Sequence, residues 1–268
     1  MKEWSLEELG IRSEIVERDL SRSFNAEPEA SIDDVMSALS NCGIGYYVVG
    51  GAVRSWLEGR PARDLDIAVT SSIEDAFAAL QKFTSCIDFT LNEKFGLLYL
   101  NGDMERVDVA IMRNCGDIDG ELDEATFRGG NSISDDALAR DFTINTFYYC
   151  PLSKRVMNPY PEGARDLRSR ELNLIMDDRK LSVDYMACIR FLQFMARGYT
   201  ASPRISEILA SKLDTDILKF DQFGKWMENY VPPEREYYRA FKGMMYSHAK
   251  DPRSHQRLDG WFGDMERD

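Results

Sequence analysis

The chain has 268 residues, with Lys+Arg 33 against Asp+Glu 46, for a formal net charge of -13. A hydrophobic fraction of 44% beside 29% charged residues is globular composition and excludes collagen-like, disordered and disulfide-scaffold classes. No apolar run is long enough to span a bilayer, and the acidic, polar stretch after Met1 does not read as a signal or transit peptide.

Five cysteines (Cys42, Cys86, Cys115, Cys150, Cys188) are scattered and never spaced as C-x-x-C, which reads as reduced thiols in a cytoplasmic protein. The only histidines, His248 and His255, lie near the C-terminus. A His/Cys zinc site or a Ser-His-Asp triad therefore has little to draw on, and a metal here is expected on carboxylates, as a hard ion such as Mg2+. Charge is uneven: residues 1–150 hold 13 Lys/Arg and 28 Asp/Glu, a balance of −15, and residues 151–268 hold 20 and 18, a balance of +2. The second half is the better resting place for a polyanion.

In chain order, residues 1–30 are charged and read as an appendage. Ser31 is a good N-cap, with Asp33 and Asp34 in the first turn and Val35, Met36 and Leu39 on the apolar face; Gly43 ends that helix. A buried strand is expected at 45–49, then Gly50-Gly51, a helix over 52–57, a strand over 65–69, and a helix over 73–83 capped by Ser71 or Ser72. Strands of a mixed sheet follow around Phe89, at 96–100 and at 106–112. The stretch 114–134, rich in Gly, Asp and Asn, reads as a long mobile loop. Helical periodicity returns at 136–147, then at about 180–198, 203–213 and 216–230. Pro232-Pro233 precedes a last helix over 234–247. The expected fold class is α+β, a mixed sheet with helices over 31–170 and a short all-helical part over 171–268.

One constellation carries chemistry. Gly50-Gly51 at a strand-to-helix junction lets backbone approach a ligand, and the helix start offers N–H groups to phosphate. Arg54, one turn on, can reach the same phosphates. Asp64 and Asp66 sit two apart on a strand, so both face one side while Leu65 and Ile67 face the core. In Arg106-Val107-Asp108-Val109-Ala110-Ile111 the apolar residues alternate, which puts Asp108 opposite them. A lone acid on a strand is commonly just solvated, a D-x-D is usually a surface pair, and a Gly-Gly usually marks a turn. Their joint order shifts the balance toward a site holding divalent ions for phosphoryl chemistry.

The sequence resembles the class II tRNA nucleotidyltransferases (CCA-adding enzymes) and bacterial poly(A) polymerases, whose head domain belongs to the polymerase β superfamily. Gly50-Gly51-Ala52-Val53-Arg54, Gly59-Arg60-Pro61 and Asp64-Leu65-Asp66-Ile67-Ala68 resemble the metal-binding motif, and Phe95-Gly96 the strand after it. Asp108 and Arg113 fall where the family places an acid and, five residues on, an arginine. Arg140-Asp141-Phe142-Thr143-Ile144-Asn145 is similar to the ribose-recognition motif. Asn158-Pro159-Tyr160 through Gly163, Asp166 and Leu167 resemble the hinge motif. Asp184, Met186, Arg190, Phe194, Ala196 and Arg197 resemble the base-reading helix. The resemblance covers about 43–200.

It implies a polymerase β-like head followed by a helical neck, and transfer of a nucleoside monophosphate from ATP and/or CTP to an RNA 3′ hydroxyl, tRNA foremost, with release of pyrophosphate. Asp64, Asp66 and Asp108 would be catalytic and hold two Mg2+ ions, with Mn2+ able to stand in. Gly50, Gly51, Arg54, Arg113, Arg140, Asp141, Asn145, Asp184 and Arg190 would bind the nucleotide. For Asp141 and Asn145, capping of turns and helix ends is the competing reading. The chain departs from the family pattern at Ser55, Ala139, Asn158, Val183 and Ala187; the last removes an arginine that could fork onto a base edge. Tyr237, Tyr238, Arg239, Phe241, Lys242 and Tyr246 are either an RNA-stacking surface or, at helical spacing, core with a solvated rim. Two alternatives stay open: the same chemistry on a protein, small-molecule or nucleotide acceptor, and a non-catalytic nucleotide-binding subunit.

Overall fold

A computed structural model describes residues 1–25, 30–83, 87–113, 132–175, 186–228, 230–232 and 234–265. The chain divides into two compact units, Met1–Leu167 and Arg168–Asp268. Among the described residues no helix is long and apolar enough to cross a membrane.

The strands of the first unit are β1 (Lys2–Ser5), β2 (Tyr46–Val49), β3 (Leu65–Val69), β4 (Asp88–Asn92), β5 (Leu97–Asn101), β6 (Arg106–Ile111), β7 (Tyr148–Cys150) and β8 (Arg155–Asn158). They form one eight-stranded sheet in the order β1-β8-β7-β2-β3-β6-β5-β4. β3 and β6 run parallel; the other neighbours are antiparallel. The helices are α1 (Ser13–Leu20), α2 (Ile32–Asn41), α3 (Gly51–Leu57), α4 (Ile73–Phe83), α5 (Ile133–Leu138) and α6 (Glu162–Ser169).

Alternation along the strands assigns the faces. Val48, Leu65, Ile67, Val69, Val107, Val109 and Ile111 are buried on one side. α2 and α3 pack on β2, α3 also on β3, and α4 on β5. On the other side Val49, Ala68, Tyr148 and Met157 gather with Met112 and with Ile133 and Ala137 of α5. Local signals fix the helix starts. Ser31 and Asp34 form a reciprocal capping box at α2, and the Ser72 hydroxyl accepts the Asp75 N–H at α4.

Several expectations need correction. Residues 1–25 are not an appendage. β1 pairs with β8 at the sheet edge, and Ile11, Ile15, Val16, Leu20 and Phe24 are buried. The helix expected over 136–147 is instead α5, which begins after its cap Ser132 and ends at Leu138, followed by a 3-10 turn at Thr143–Asn145 and by β7. Most of the expected loop at 114–134 lies outside the described residues.

The second unit contains α7 (Met186–Ala196), α8 (Pro203–Lys219), α9 (Phe223–Glu228), α10 (Arg235–His248) and α11 (Pro252–Met265). It is not all-helical, since β9 (Glu171–Leu172) and β10 (Thr200–Ala201) pair in parallel. α8 runs through the break expected at 214–215, because Leu209, Leu213 and Ile217 keep one buried stripe across it. The tail after His248 becomes α11, whose Leu258 and Phe262 are buried and which packs on α8, α9 and α10.

Candidate functional site

The parallel pairing of β3 and β6 sets Asp66 directly opposite Asp108. Both point to the face opposite the buried Leu65, Ile67, Val107 and Val109. Neighbouring strands lie about 4.8 Å apart, so the two carboxylates leave the sheet side by side. Asp64 stands one residue ahead of β3 and is exposed, with Arg63 Nε 3.7 Å from its carboxylate. The structure thus brings the three acids to one end of adjacent strands. It does not close them into a cluster: among the described residues, no three His, Cys, Asp or Glu side chains are gathered closely enough to hold a metal ion.

Asp108 is already engaged in an ion pair. Arg106, two residues back on the same face of β6, forks onto it, with Nε 2.9 Å from Oδ1 and Nη2 3.3 Å from Oδ2. The guanidinium lies 4.5 Å over the ring of Tyr99, which pairs with Asp108 from β5. Its hydrogen bonds to Asp108, with the charges of Asp108 and Asp64, hold Arg106 above its ordinary pKa. The sequence reading missed Arg106 and Tyr99; the available signal was charge two residues from Asp108 on an alternating strand. An all-carboxylate, solvent-reaching donor set suits a hard divalent cation, and a cation already sits against Asp108 in the form of Arg106.

The Gly50-Gly51 turn adjoins the acids, because Val49 is the register partner of Asp66. Gly50 has φ 63° and ψ −119°, a conformation that a side chain would strain, and a Cβ there would come 3.2 Å from Arg140 Nη1. No side chain caps α3 at this end. Arg54 Nη2 lies over Gly51, and Arg54 Nη1 donates to Asn145 Oδ1. The turn is therefore flanked by two guanidinium groups on different elements.

Arg140, Asp141 and Asn145 do converge here, though from a loop and a 3-10 turn rather than from the start of a helix. Asp141 accepts the Phe142 N–H at 2.8 Å and Asn145 Nδ2 at 2.7 Å. These bonds hold the turn and aim Asn145 Oδ1 at Arg54. Arg140 is anchored by Asp136 (Nη2 to Oδ2, 2.7 Å), which also accepts the Tyr148 hydroxyl at 2.6 Å and the Arg113 N–H at 2.9 Å. Burial alone would push the Asp136 carboxyl up, but the Arg140 charge and these donors outweigh it and hold it below the usual carboxylate range. Burial, with the charge of Asp136, pushes the Tyr148 phenol up. Arg113 is tied to α5 through its backbone. Asp136 and Tyr148 are thus supports that the sequence reading did not single out.

Asp184 lies outside the described residues. Arg190 of α7 sits 5.8 Å over the ring of Tyr230, whose carbonyl accepts Gln193 Nε2 at 2.9 Å. Ala187 is buried. Of the α10 aromatics Phe241 follows the core reading, while Tyr237, Tyr238 and Tyr246 are half-buried. Phe241 is fully buried, Tyr246 stacks on Phe262 of α11, and Tyr238 meets Phe262 edge-on.

Residues 46–173 match the family described as Poly A polymerase head domain. Poly(A) polymerase I of Haemophilus influenzae is 26% identical over 219 residues, covering 74% of this chain and 47% of the relative. A CC-adding tRNA nucleotidyltransferase of Halalkalibacterium halodurans is 27% identical over 176 residues, covering 65% and 41%. The structure of a Thermotoga maritima CCA-adding enzyme complexed with tRNA superposes with TM-score 0.66 at 17% identity, over 92% of this chain and 55% of that one. A Bacillus stearothermophilus CCA-adding enzyme in complex with CTP gives 0.63 at 21%, over 80% and 50%. The chain therefore has the CCA-adding-enzyme fold, while spanning about half the length of the curated relatives it matches. Over residues 46–173 it matches the Poly A polymerase head domain, and it is similar to poly(A) polymerase I and to CC-adding tRNA nucleotidyltransferase.

Proposed function

We propose that this chain is a metal-dependent nucleotidyltransferase of the cytoplasm, moving a nucleoside monophosphate from ATP or CTP to an RNA 3′ hydroxyl and releasing pyrophosphate. Met1–Leu167 act as the catalytic head and Arg168–Asp268 as the neck and body. The observation that carries this reading is the β3–β6 register, which sets Asp66 beside Asp108 next to a glycine turn flanked by Arg54 and Arg140.

Asp64, Asp66 and Asp108 would hold the divalent ions, two Mg2+ in this reading. Bound there, Mg2+ supplies neutralisation of the triphosphate charge and lowers the pKa of the attacking hydroxyl. The chain's own residues do the rest. Backbone N–H groups at the start of α3 and the guanidinium groups of Arg54 and Arg140 receive phosphate oxygens, which fixes the α-phosphate for in-line attack. Asn145, held by Asp141, orients Arg54 and lies where a ribose hydroxyl can be reached. Asp108 orients the attacking hydroxyl and draws its proton. Arg113, Asp184 and Arg190 complete nucleotide recognition in this reading. Transfer of this kind is positioning plus charge compensation, so the lack of a histidine near these acids is no obstacle.

Replacing Asp64 and Asp66 together by Ala should abolish incorporation of labelled nucleotide into RNA; a double variant as active as the parent would overturn the assignment. A second reading keeps the chemistry and changes the acceptor. It is favoured by the burial of Phe241 and the packing of half-buried Tyr238 and Tyr246 against Phe262, which takes up part of the stacking surface expected for RNA. Incubation with each labelled NTP and either total RNA or cell lysate separates the two, since the label follows RNA in one case and another acceptor in the other.

A further inference from the structure

The sheet fixes Asp66 against Asp108, but Asp64 lies outside the ladder, one residue before β3 begins. Something other than strand pairing must set it, and the N-terminal segment is in contact with the loop that carries it. Asp19 Oδ2 accepts the Ala62 N–H at 2.6 Å and Trp56 Nε1 at 2.8 Å, both from buried positions. Arg12 Nη2 donates to the Gly59 carbonyl at 3.1 Å. Arg22 reaches furthest. Its Nη1 donates to the carbonyl of Arg63, the residue beside Asp64, at 3.1 Å, and to that of Ala62 at 3.4 Å. The same nitrogen stands 3.0 Å from Glu105 Oε2, at the head of β6, and Arg22 Nε is held by the Asp19 carbonyl at 3.2 Å.

The segment also grips the β5–β6 turn. The Phe24 carbonyl accepts the Met104 N–H at 2.8 Å and Asn25 Oδ1 accepts the Asp103 N–H at 2.8 Å. Gly102 lies so close beneath them that a Cβ would collide with the Phe24 carbonyl and come within 2.7 Å of Asn25 Oδ1. One arginine therefore spans the two loops that lead into the acid-bearing strands.

We infer that Arg22 is a positioning residue for the acid site: by tying the Arg63 carbonyl to Glu105 it sets Asp64 relative to Asp108. This rests on the metal-binding reading of the three acids. The bridge runs through Nη1, which faces the Arg63 and Ala62 carbonyls and Glu105, while Nε holds the Asp19 carbonyl and Nη2 is buried with no hydrogen-bond partner among the described residues.

The test uses the full chain and Mn2+ as probe, followed by electron paramagnetic resonance, with thermal melting in parallel. Partners that orient metal ligands typically change affinity by roughly tenfold or more when removed, so Arg22→Gln should weaken Mn2+ binding by about tenfold well below its melting midpoint. Arg22→Lys, which restores the charge without the Nε bond to the Asp19 carbonyl, should recover part of that loss, and Glu105→Gln should weaken binding in the same direction. If Arg22→Gln melts earlier but binds Mn2+ as the parent does, Arg22 is only a structural brace and the inference fails. A parent chain whose Mn2+ binding survives Asp66→Asn would instead refute the metal reading itself, and this inference with it.

Discussion

Arg106 makes the acid site's response to metal calculable. Its guanidinium holds both oxygens of Asp108, whose side chain is about a third exposed, and lies over Tyr99. A divalent ion that uses Asp108 must displace this fork. Ion pairs in contact with water contribute about 0.2–1 kcal/mol, so Arg106→Gln should tighten Mn2+ binding about 1.4- to 5-fold. Removing the neighbouring positive charge acts in the same direction, and salt screens it over a length of about 10 Å at 0.1 M. The gain should therefore be larger in dilute buffer and shrink toward the pair's own contribution at high salt. Titration of Mn2+ against parent and variant, at low and high ionic strength, measures both quantities. Unchanged or weaker binding at low salt would refute the reasoning and make Arg106 an organiser of Asp108 rather than its competitor.

Three other outcomes follow from the same geometry. Gly50→Ala places a side chain at φ 63° beside Arg140; it should cost at least about 1 kcal/mol in a denaturant melt and raise KM for the nucleotide. Asp136→Asn leaves the Arg140 charge without its carboxylate and should cost roughly 3 kcal/mol of stability by the same melt. The parent's Asp136 carboxyl titrates below its ordinary range, so the unfolded chain binds more protons just below the ordinary carboxylate pKa of about 4. This part of the stability is complete above that window, is lost as pH falls through the folded value, and should be missing from the pH profile of the Asn variant. Ser31→Ala opens the capping box of α2 and should cost about 1 kcal/mol without changing metal affinity.

What the sequence made legible was decided locally. β3 follows from its run of apolar residues around Asp66 and α4 from a serine cap, and the structure places them at the expected residues. The stretch after Ser132 did not follow from periodicity, because its polar side chains are spent elsewhere. Asp136 turns to Arg140, Tyr148 and the Arg113 N–H, and Asp141 takes the N–H of Phe142, so the chain leaves the helix that its apolar spacing suggests. The adjacency of Asp66 and Asp108 was expected through the family resemblance alone, since local pattern does not say which strands become neighbours. The N-terminal segment carried a readable clue in Ile11, Ile15, Val16 and Leu20 at helical spacing. Its high charge concealed a buried use for Asp19.

The position of β6 between β3 and β5 has a consequence for biosynthesis. Chain emerging before β6 already holds the glycine turn, Asp64 and Asp66, yet β5 has no route to β3 until β6 inserts between them. Such a non-local closure is slow relative to hairpin formation. The juxtaposition of Asp66 and Asp108 therefore waits until β6 has emerged and filled the slot between β3 and β5.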